Sequence, residues 1–342
     1  MELSMPVVWS DRCLLHEPLE EIWVGVPTPA AETAERIERI RAALDGATFV
    51  EAEPHDDTIL RAIHDGALLR YLESAWDEWV AARLPDDPGQ QRVVPYVFAH
   101  PALGSALVEP TAVWAKPGFF AYDTMTLIGP GTWEAARAAV DTALTAADLV
   151  RGGAAAAYAC TRPPGHHACH AAYGGSCYLN NAACAAIAFG LDLVAVLDID
   201  AHHGNGTQEI LGGSGDVLVG SVHVDPRAGW FPHFLGSADG PGAKNIPLPP
   251  GSADDAWLAA VRSLADWVRE DEVEALVVSL GVDAAAEDPE SPLEVTRDGF
   301  REAGELIGGL GLPTVFVQEG GYHDAVGELV RETLLGFEAA RR

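Results

Sequence analysis

At 342 residues, 48% of them hydrophobic, the chain has the bulk and composition of a globular protein built as one large α/β domain or two. Its 51 acidic and 21 basic residues leave a formal net charge of −30, which argues against phosphate-bearing partners, whether nucleic acid or an anionic membrane surface. The same charge favours a cationic substrate such as a polyamine or a lysine-bearing peptide, but it serves solubility equally well and does not by itself choose a substrate.

The N-terminus, with Glu2, Asp11 and Arg12 and no apolar core, is not expected to be a signal peptide. Residues 7–9 read as a first strand, followed by a polar loop over 10–21. Residues 31–44 have helical periodicity, with Ile37, Ile40 and Leu44 on one face. A short strand is expected at 48–50. Helices are expected through 57–82, with Leu60, Ile63, Leu68 and Leu72 inward and Trp76 and Trp79 as core or interface anchors.

The stretch 83–130 breaks the pattern. It is rich in proline and glycine, lacks any sustained period, and carries Tyr96, Phe98, Trp114, Phe119, Phe120 and Tyr122. A loop this long inside a compact domain is usually functional, and its aromatics point to contact with a partner subunit or substrate.

Thr132 is expected to cap a long helix reaching about residue 151. Beyond it, strands at 154–159, 193–198, 217–222, 275–280 and 314–317 alternate with helices at 180–190, 206–211, 253–269, 297–307 and 325–340. Such alternation predicts an α/β fold: an open, mostly parallel sheet flanked by helices on both faces. No linker, repeat or second core interrupts it, so a single domain over 1–342 is expected, with an insertion at 83–130. The longest apolar stretch, 182–191, is too short to span a bilayer. Five cysteines, Cys13, Cys160, Cys169, Cys177 and Cys184, form no CxxC pair, and their odd number argues against a secreted disulfide framework. Reduced thiols in a cytoplasmic protein are expected. Cys169 and Cys177 flank a His pair, but a better ligand set for a metal lies elsewhere.

That set begins where the strand at 193–198 stops. Asp198, Asp200, His202 and His203 crowd into Asp-Ile-Asp-Ala-His-His, at a strand's carboxyl end, where chemistry collects in open α/β sheets. Carboxylate and imidazole together suit zinc, iron or cobalt. Three further strand-like runs end in comparable motifs: Arg-Pro-Pro-Gly-His-His up to His167, Ser-Leu-Gly-Val-Asp up to Asp283, and Gln-Glu-Gly-Gly-Tyr up to Tyr322.

These four motifs in this order resemble the deacetylase side of the arginase–deacetylase superfamily, and most of all the bacterial acetylpolyamine amidohydrolases, relatives of the histone deacetylases. The resemblance runs from Val7 to the last helix. It implies a metal-dependent amidohydrolase that removes acyl groups from primary amines, with zinc (Fe2+ or Co2+ as alternatives) held by Asp200, His202 and Asp283 and a fourth position open. His167 is then the general base and acid, His166 its electrostatic partner, Asp198 and Asn205 the groups orienting them, and Tyr322 the donor to the oxyanion. A neutral Asn205 should leave His167 less basic than an aspartate would. Potassium is implied at Asp198, Asp200, His202, Ser221 and Val222.

Glu21 and Phe231, with Gly175, Ser176 and Gly320, are the implied substrate contacts, and the 83–130 insertion implies a homodimer. Two positions depart from the pattern. Ser176 stands where relatives place an aromatic ring opposite Phe231, so a wider tunnel is expected unless Trp230 or Tyr178 substitutes. Met125 falls near an expected acidic position, with Asp123 as the available replacement. An acetylpolyamine is the first-choice substrate, and acyl-lysine the alternative with the same chemistry. A catalytically silent metalloprotein binding cationic or acylated ligands is the reading from another class; it would be supported by loss of Tyr322 or of a His, and neither is lost. A ureohydrolase is disfavoured by Tyr322 and the single-metal set.

Overall fold

A computed structural model describes residues 3–104 and 106–341; Glu2, cited above for the N-terminus, lies outside them. The strands described are β1 (Val7–Trp9), β2 (Glu20–Trp23), β3 (Val26–Pro29), β4 (Phe49–Glu51), β5 (Ala156–Ala159), β6 (Val194–Asp198), β7 (Val217–Val224), β8 (Ala243–Leu248), β9 (Ala275–Leu280) and β10 (Thr314–Gln318). Eight of them form one sheet in the order β4-β1-β5-β10-β9-β6-β7-β8, with parallel pairing throughout.

The central strands are continuous apolar runs because both faces are covered. All six residues of β9, Ala-Leu-Val-Val-Ser-Leu, are buried, and alternate side chains go to opposite layers. Leu276, Val278 and Leu280 join a core with Trp257, Phe300 and Phe337. Ala275 and Val277 join a second core with Leu68, Leu72, Val140 and Ala183. Helices Ala34–Ala43, Asp254–Glu270, Arg297–Gly308 and Val326–Ala340 cover the first face; Gly66–Ala81, Thr132–Arg151 and Asn181–Ala188 cover the second. No described helix is long and apolar enough to cross a membrane.

Three local expectations change. β2 and β3 pair as an antiparallel hairpin where periodicity gave no signal. Pro27 and Pro29 hide the second strand, and the turn is made by Val24 and Gly25, both at positive φ (51° and 77°). β8 was also hidden, since Lys244, Asn245 and Pro247 read as loop; it is an edge strand, where proline is tolerated. Thr132 is the first residue of its helix rather than the cap. Gly131, at φ 75°, holds the cap position, and the Thr132 hydroxyl accepts from the Gly129 N–H and meets His16 Nδ1.

The segment 83–130 contains two short turns of helix, Pro101–Leu103 and Pro117–Phe120, and a bridge between Val93 and Ile128. Its aromatics divide. Phe120 is buried and stacks on Tyr71 at 4.6 Å, Tyr122 reaches the site described next, and Tyr96, Phe98 and Trp114 are exposed.

Candidate active site

The four motifs follow β5, β10, β9 and β6, which are neighbours at the centre of the sheet, so their carboxyl ends deliver every expected catalytic side chain to one place. After β6 the chain bends over 200–202, yet its side chains keep to alternate sides. Ile199 and Ala201 enter the core, while Asp198, Asp200 and His202 share the other side. Asp283 arrives from β9. His202 Nδ1 lies 3.2 Å from Asp200 Oδ1 and 3.0 Å from Asp283 Oδ2, and the three residues offer ligand atoms all within 4.8 Å of one another.

Backbone donors fix the carboxylates. Gly320 N–H binds Asp200 Oδ2 (2.8 Å), and Ala201 N–H binds Asp283 Oδ1 (2.7 Å). A side chain at Gly281 or Gly320 would collide with these carboxylates, so glycine is what lets three strand ends close on them. Burial and the charge of Asp200 push Asp283 up to about 7, while His202 is raised well above its ordinary value, opposed by burial but driven by its two carboxylate partners. Two buried carboxylates facing one imidazole are a set that calls for a cation, and the donors fit a divalent metal. His203 turns away, to Gln208 (2.9 Å) and a ring contact with His223.

The His pair is held by groups on three elements. His166 Nδ1 meets Asp198 Oδ2 at 2.8 Å and His167 Nδ1 meets Asn205 Oδ1 at 2.7 Å; the ring centroids are 4.0 Å apart. Burial opposes the charge of His166, but Asp198, Asp200 and Glu319 raise it to about 10. Burial, with the positive neighbours His166 and His202, drives His167 well below its ordinary value. With Asn205 Oδ1 accepting from Nδ1–H, His167 is a neutral imidazole whose Nε2 is free. The backbone under the pair is clamped by Glu319, whose Oε2 accepts from Gly165 N–H (2.7 Å) and His166 N–H (3.1 Å).

Tyr322 is held from two sides. Its N–H and that of His323 donate to Asp288 Oδ2 at 2.8 and 3.0 Å. The Arg36 guanidinium lies 4.4 Å from the ring centroid and donates to the carbonyls of Gly321 (2.6 Å) and Glu319 (2.8 Å). Burial keeps the phenol well above its ordinary value, so it stays a donor. Arg36 is tied in turn to Glu32 (2.8 Å), which also binds Arg162 (2.9 Å), all three being buried.

The cavity over this centre measures about 60 Å³ and is lined by Glu21, Ala31, Met125, His167, Gly175, Ser176, His202, Phe231, Glu290 and Tyr322. Glu21, Phe231, Gly175 and Ser176 therefore share one cavity with His167, His202 and Tyr322, whereas Gly320 lies behind Asp200 and Asp283. Ser176 and Met125 both stand in the wall of the same cavity as Phe231. Neither Trp230 nor Tyr178 lines the cavity. Tyr178 is buried and donates its hydroxyl to the Leu127 carbonyl. Asp123 braces the loops instead of facing the cavity, accepting from the N–H groups of Gly175, Met125 and Thr126. Tyr122 backs Phe231 in a stacked contact at 6.1 Å and donates to the His167 carbonyl.

Arg36, Glu32, Asp288, Glu290 and Glu319 carry no role in the sequence reading. The available signals were an Arg four residues after a Glu at a helix start, and Glu319 standing inside the Gln-Glu-Gly-Gly-Tyr motif already singled out. For the expected monovalent site, Asp198 and Ser221 pair in register across β6 and β7, and the Ser221 hydroxyl is shared with His223 Nδ1 at 2.8 Å.

The chain matches the histone deacetylase domain family over residues 30–336. It is 40% identical to acetylpolyamine amidohydrolase 1 of Pseudomonas aeruginosa, covering 98% of this chain and 99% of that protein. It is 41% identical to the acetylpolyamine amidohydrolase of Burkholderia pseudomallei, covering 96% and 97%. A crystal structure of acetylpolyamine aminohydrolase from Burkholderia pseudomallei superposes with a TM-score of 0.91 at 39% identity, over 99% of this chain and 100% of that one.

Proposed function

Because this chain belongs to the histone deacetylase family, we propose that it hydrolyses the amide of N-acetylated polyamines. The observation that carries the substrate is the pair Glu21 and Glu290, two carboxylates in the wall of a slot whose lining holds no lysine or arginine. A protonated amine threaded through that slot finds charge-assisted acceptors while its acetyl end rests at His167, His202 and Tyr322.

Family membership implies a divalent metal, and we assign zinc to Asp200, His202 and Asp283. The bound ion supplies Lewis acidity to the amide carbonyl and acidity to water. His167 Nε2 takes the proton of the attacking water and returns it to the departing amine. Tyr322 donates its hydroxyl to the developing oxyanion, and Asp288 and Arg36 hold it there. Asp198 and Asn205 set the ring orientation of the pair, and the charge on His166 steadies the negative transition state. We assign potassium to Asp198, Asp200, His202, Ser221 and Val222 as a structural ion. Exposed Tyr96, Phe98 and Trp114 on the 83–130 insertion of this single domain support a homodimer, and five free cysteines support a cytoplasmic setting.

The test is amine release from N-acetylputrescine, N-acetylspermidine and an acetyl-lysine peptide. We expect the polyamines to give the higher kcat/KM. Glu290→Leu should lower that advantage about ten- to hundredfold, the worth of one charged hydrogen bond, with little change on the peptide. Equal turnover of all three by the native chain would remove the polyamine assignment and leave acyl-lysine.

A pH dependence follows from Glu21. Burial, with Glu290 and Asp123 nearby, pushes it up to about 7. Only the ionised form attracts an ammonium group, so KM for N-acetylputrescine should fall as pH rises through about 7, and Glu21→Gln should flatten that trend. A KM profile identical in the variant would show that Glu21 does not touch the cation.

A further inference from the structure

Beside the catalytic centre lies a second group of metal-ligating side chains that the hydrolytic mechanism does not require as a set. His166, Cys177 and Glu319 each present a ligand atom, all within 4.8 Å of one another, and all three residues are buried. They come from three segments: the turn after β5, the loop before the helix Asn181–Ala188, and the end of β10. Glu319 spends only one oxygen on the backbone clamp. Its Oε1 is buried with no hydrogen-bond partner, in a residue 1% exposed. An unpartnered carboxylate oxygen in a dry interior is costly unless a cation or donor meets it. His166 has Nδ1 committed to Asp198, which leaves Nε2 for an ion that displaces its proton. Cys177 supplies the one soft donor, and a thiolate, an imidazole and a carboxylate together select a borderline-soft transition metal over magnesium or calcium.

We propose that His166, Cys177 and Glu319 form a second, inhibitory site for Zn2+, next to the catalytic one. Binding replaces the Cys177 Sγ–H bond with an S–Zn bond and releases that proton to solvent, and any proton on His166 Nε2 leaves with it. No oxidant or reductant is involved. With its Nε2 lone pair engaged, His166 no longer serves as the electrostatic partner of His167, and the enzyme is silenced while its catalytic ligands Asp200, His202 and Asp283 remain in place. The site makes deacylation sensitive to surplus zinc, and it does so whatever amine the enzyme prefers.

The test uses full-length protein freed of metal and titrated with Co2+ and, separately, Zn2+. Asp200, His202 and Asp283 contain no sulfur, so a first equivalent that restores activity without a thiolate-to-cobalt charge-transfer band reports the catalytic site. A second equivalent should bring that band in the near ultraviolet, and the second equivalent of Zn2+ should lower kcat about tenfold or more. Cys177→Ala and Cys177→Ser should keep the first step and the basal kcat, show no band, and resist surplus zinc. Binding of a single equivalent by the native chain would overturn the proposal. So would surplus zinc inhibiting Cys177→Ala as strongly as the native protein, which would place the inhibitory ion elsewhere. Absence of any band-free activating equivalent would instead count against the reading of Asp200, His202 and Asp283.

Discussion

His167→Ala is expected to lower kcat by about 10²–10⁴, the usual contribution of a positioned acid–base group, while KM for an acetylated amine changes little. The reason is the asymmetry within the pair. Asp198 gives His166 a full negative charge and holds it protonated, whereas Asn205 gives His167 only a neutral acceptor. Burial and two positive neighbours then keep His167 neutral, so it is the imidazole with a lone pair to offer. The ring hydrogen-bonds to neither of the proposed metal-binding carboxylates, Asp200 and Asp283, so metal content measured on the purified variant should match that of the native protein. His166→Ala should cost less in kcat. If the two substitutions reverse that order, the assignment of base and partner is reversed with them.

Glu32→Ala is expected to destabilise the fold by about 3–5 kcal/mol, the cost of stripping a buried ion pair of one partner. Glu32 is 1% exposed and binds two guanidinium groups, Arg36 and Arg162, themselves 5% and 1% exposed. Its removal leaves two cations in the interior with only carbonyl acceptors: Cys13 and Glu32 for Arg162, Gly321 and Glu319 for Arg36. Urea unfolding followed by tryptophan fluorescence would measure the loss. Glu35→Ala is the control three residues on. Its partner Arg39 is partly exposed and Glu35 more so, and such pairs contribute about 0–1 kcal/mol. Similar midpoints for the two variants would mean that the buried triad relaxes or hydrates when Glu32 is lost. Activity of Glu32→Ala should also suffer below its unfolding range, because Arg36 supports the backbone on which Tyr322 turns inward.

The strands that build the site were legible because they are apolar on both faces, and the candidate catalytic and metal-binding residues because each stands within eight residues of the end of such a strand. β9 shows this best, with six buried residues followed at once by Gly-Val-Asp. β2, β3 and β8 were hidden for the converse reason. They lie outside the sheet or at its edge, where proline, lysine and asparagine are admissible and no periodicity is imposed. Glu290 was missed for a different cause. It sits seven residues past Asp283 in a loop with no repeating pattern, and only the fold turns it toward the slot. The same holds for Arg36, whose partners Glu319 and Gly321 are more than 280 residues away in sequence. Long-range hydrogen bonds of that kind leave no mark on local composition. Met125 was legible only as a position in the 83–130 insertion, and the fold brings it to the same cavity as Ser176.

The strand order also bears on how the enzyme is made. β5 and β6 are synthesised early, yet they never touch; β10 and β9, the last two strands, fill the gap between them. A chain still emerging from the ribosome is therefore expected to hold two half-sheets with bare inner edges, before Asp283 and Tyr322 have been made. The proposed metal ligand Asp283 and the proposed oxyanion donor Tyr322 both wait for the same late insertion. Nascent fragments should be inert toward amides and exposed to edge-to-edge aggregation, and ribosome-stalled chains ending before residue 275 should be cleaved readily by protease where the released protein resists it.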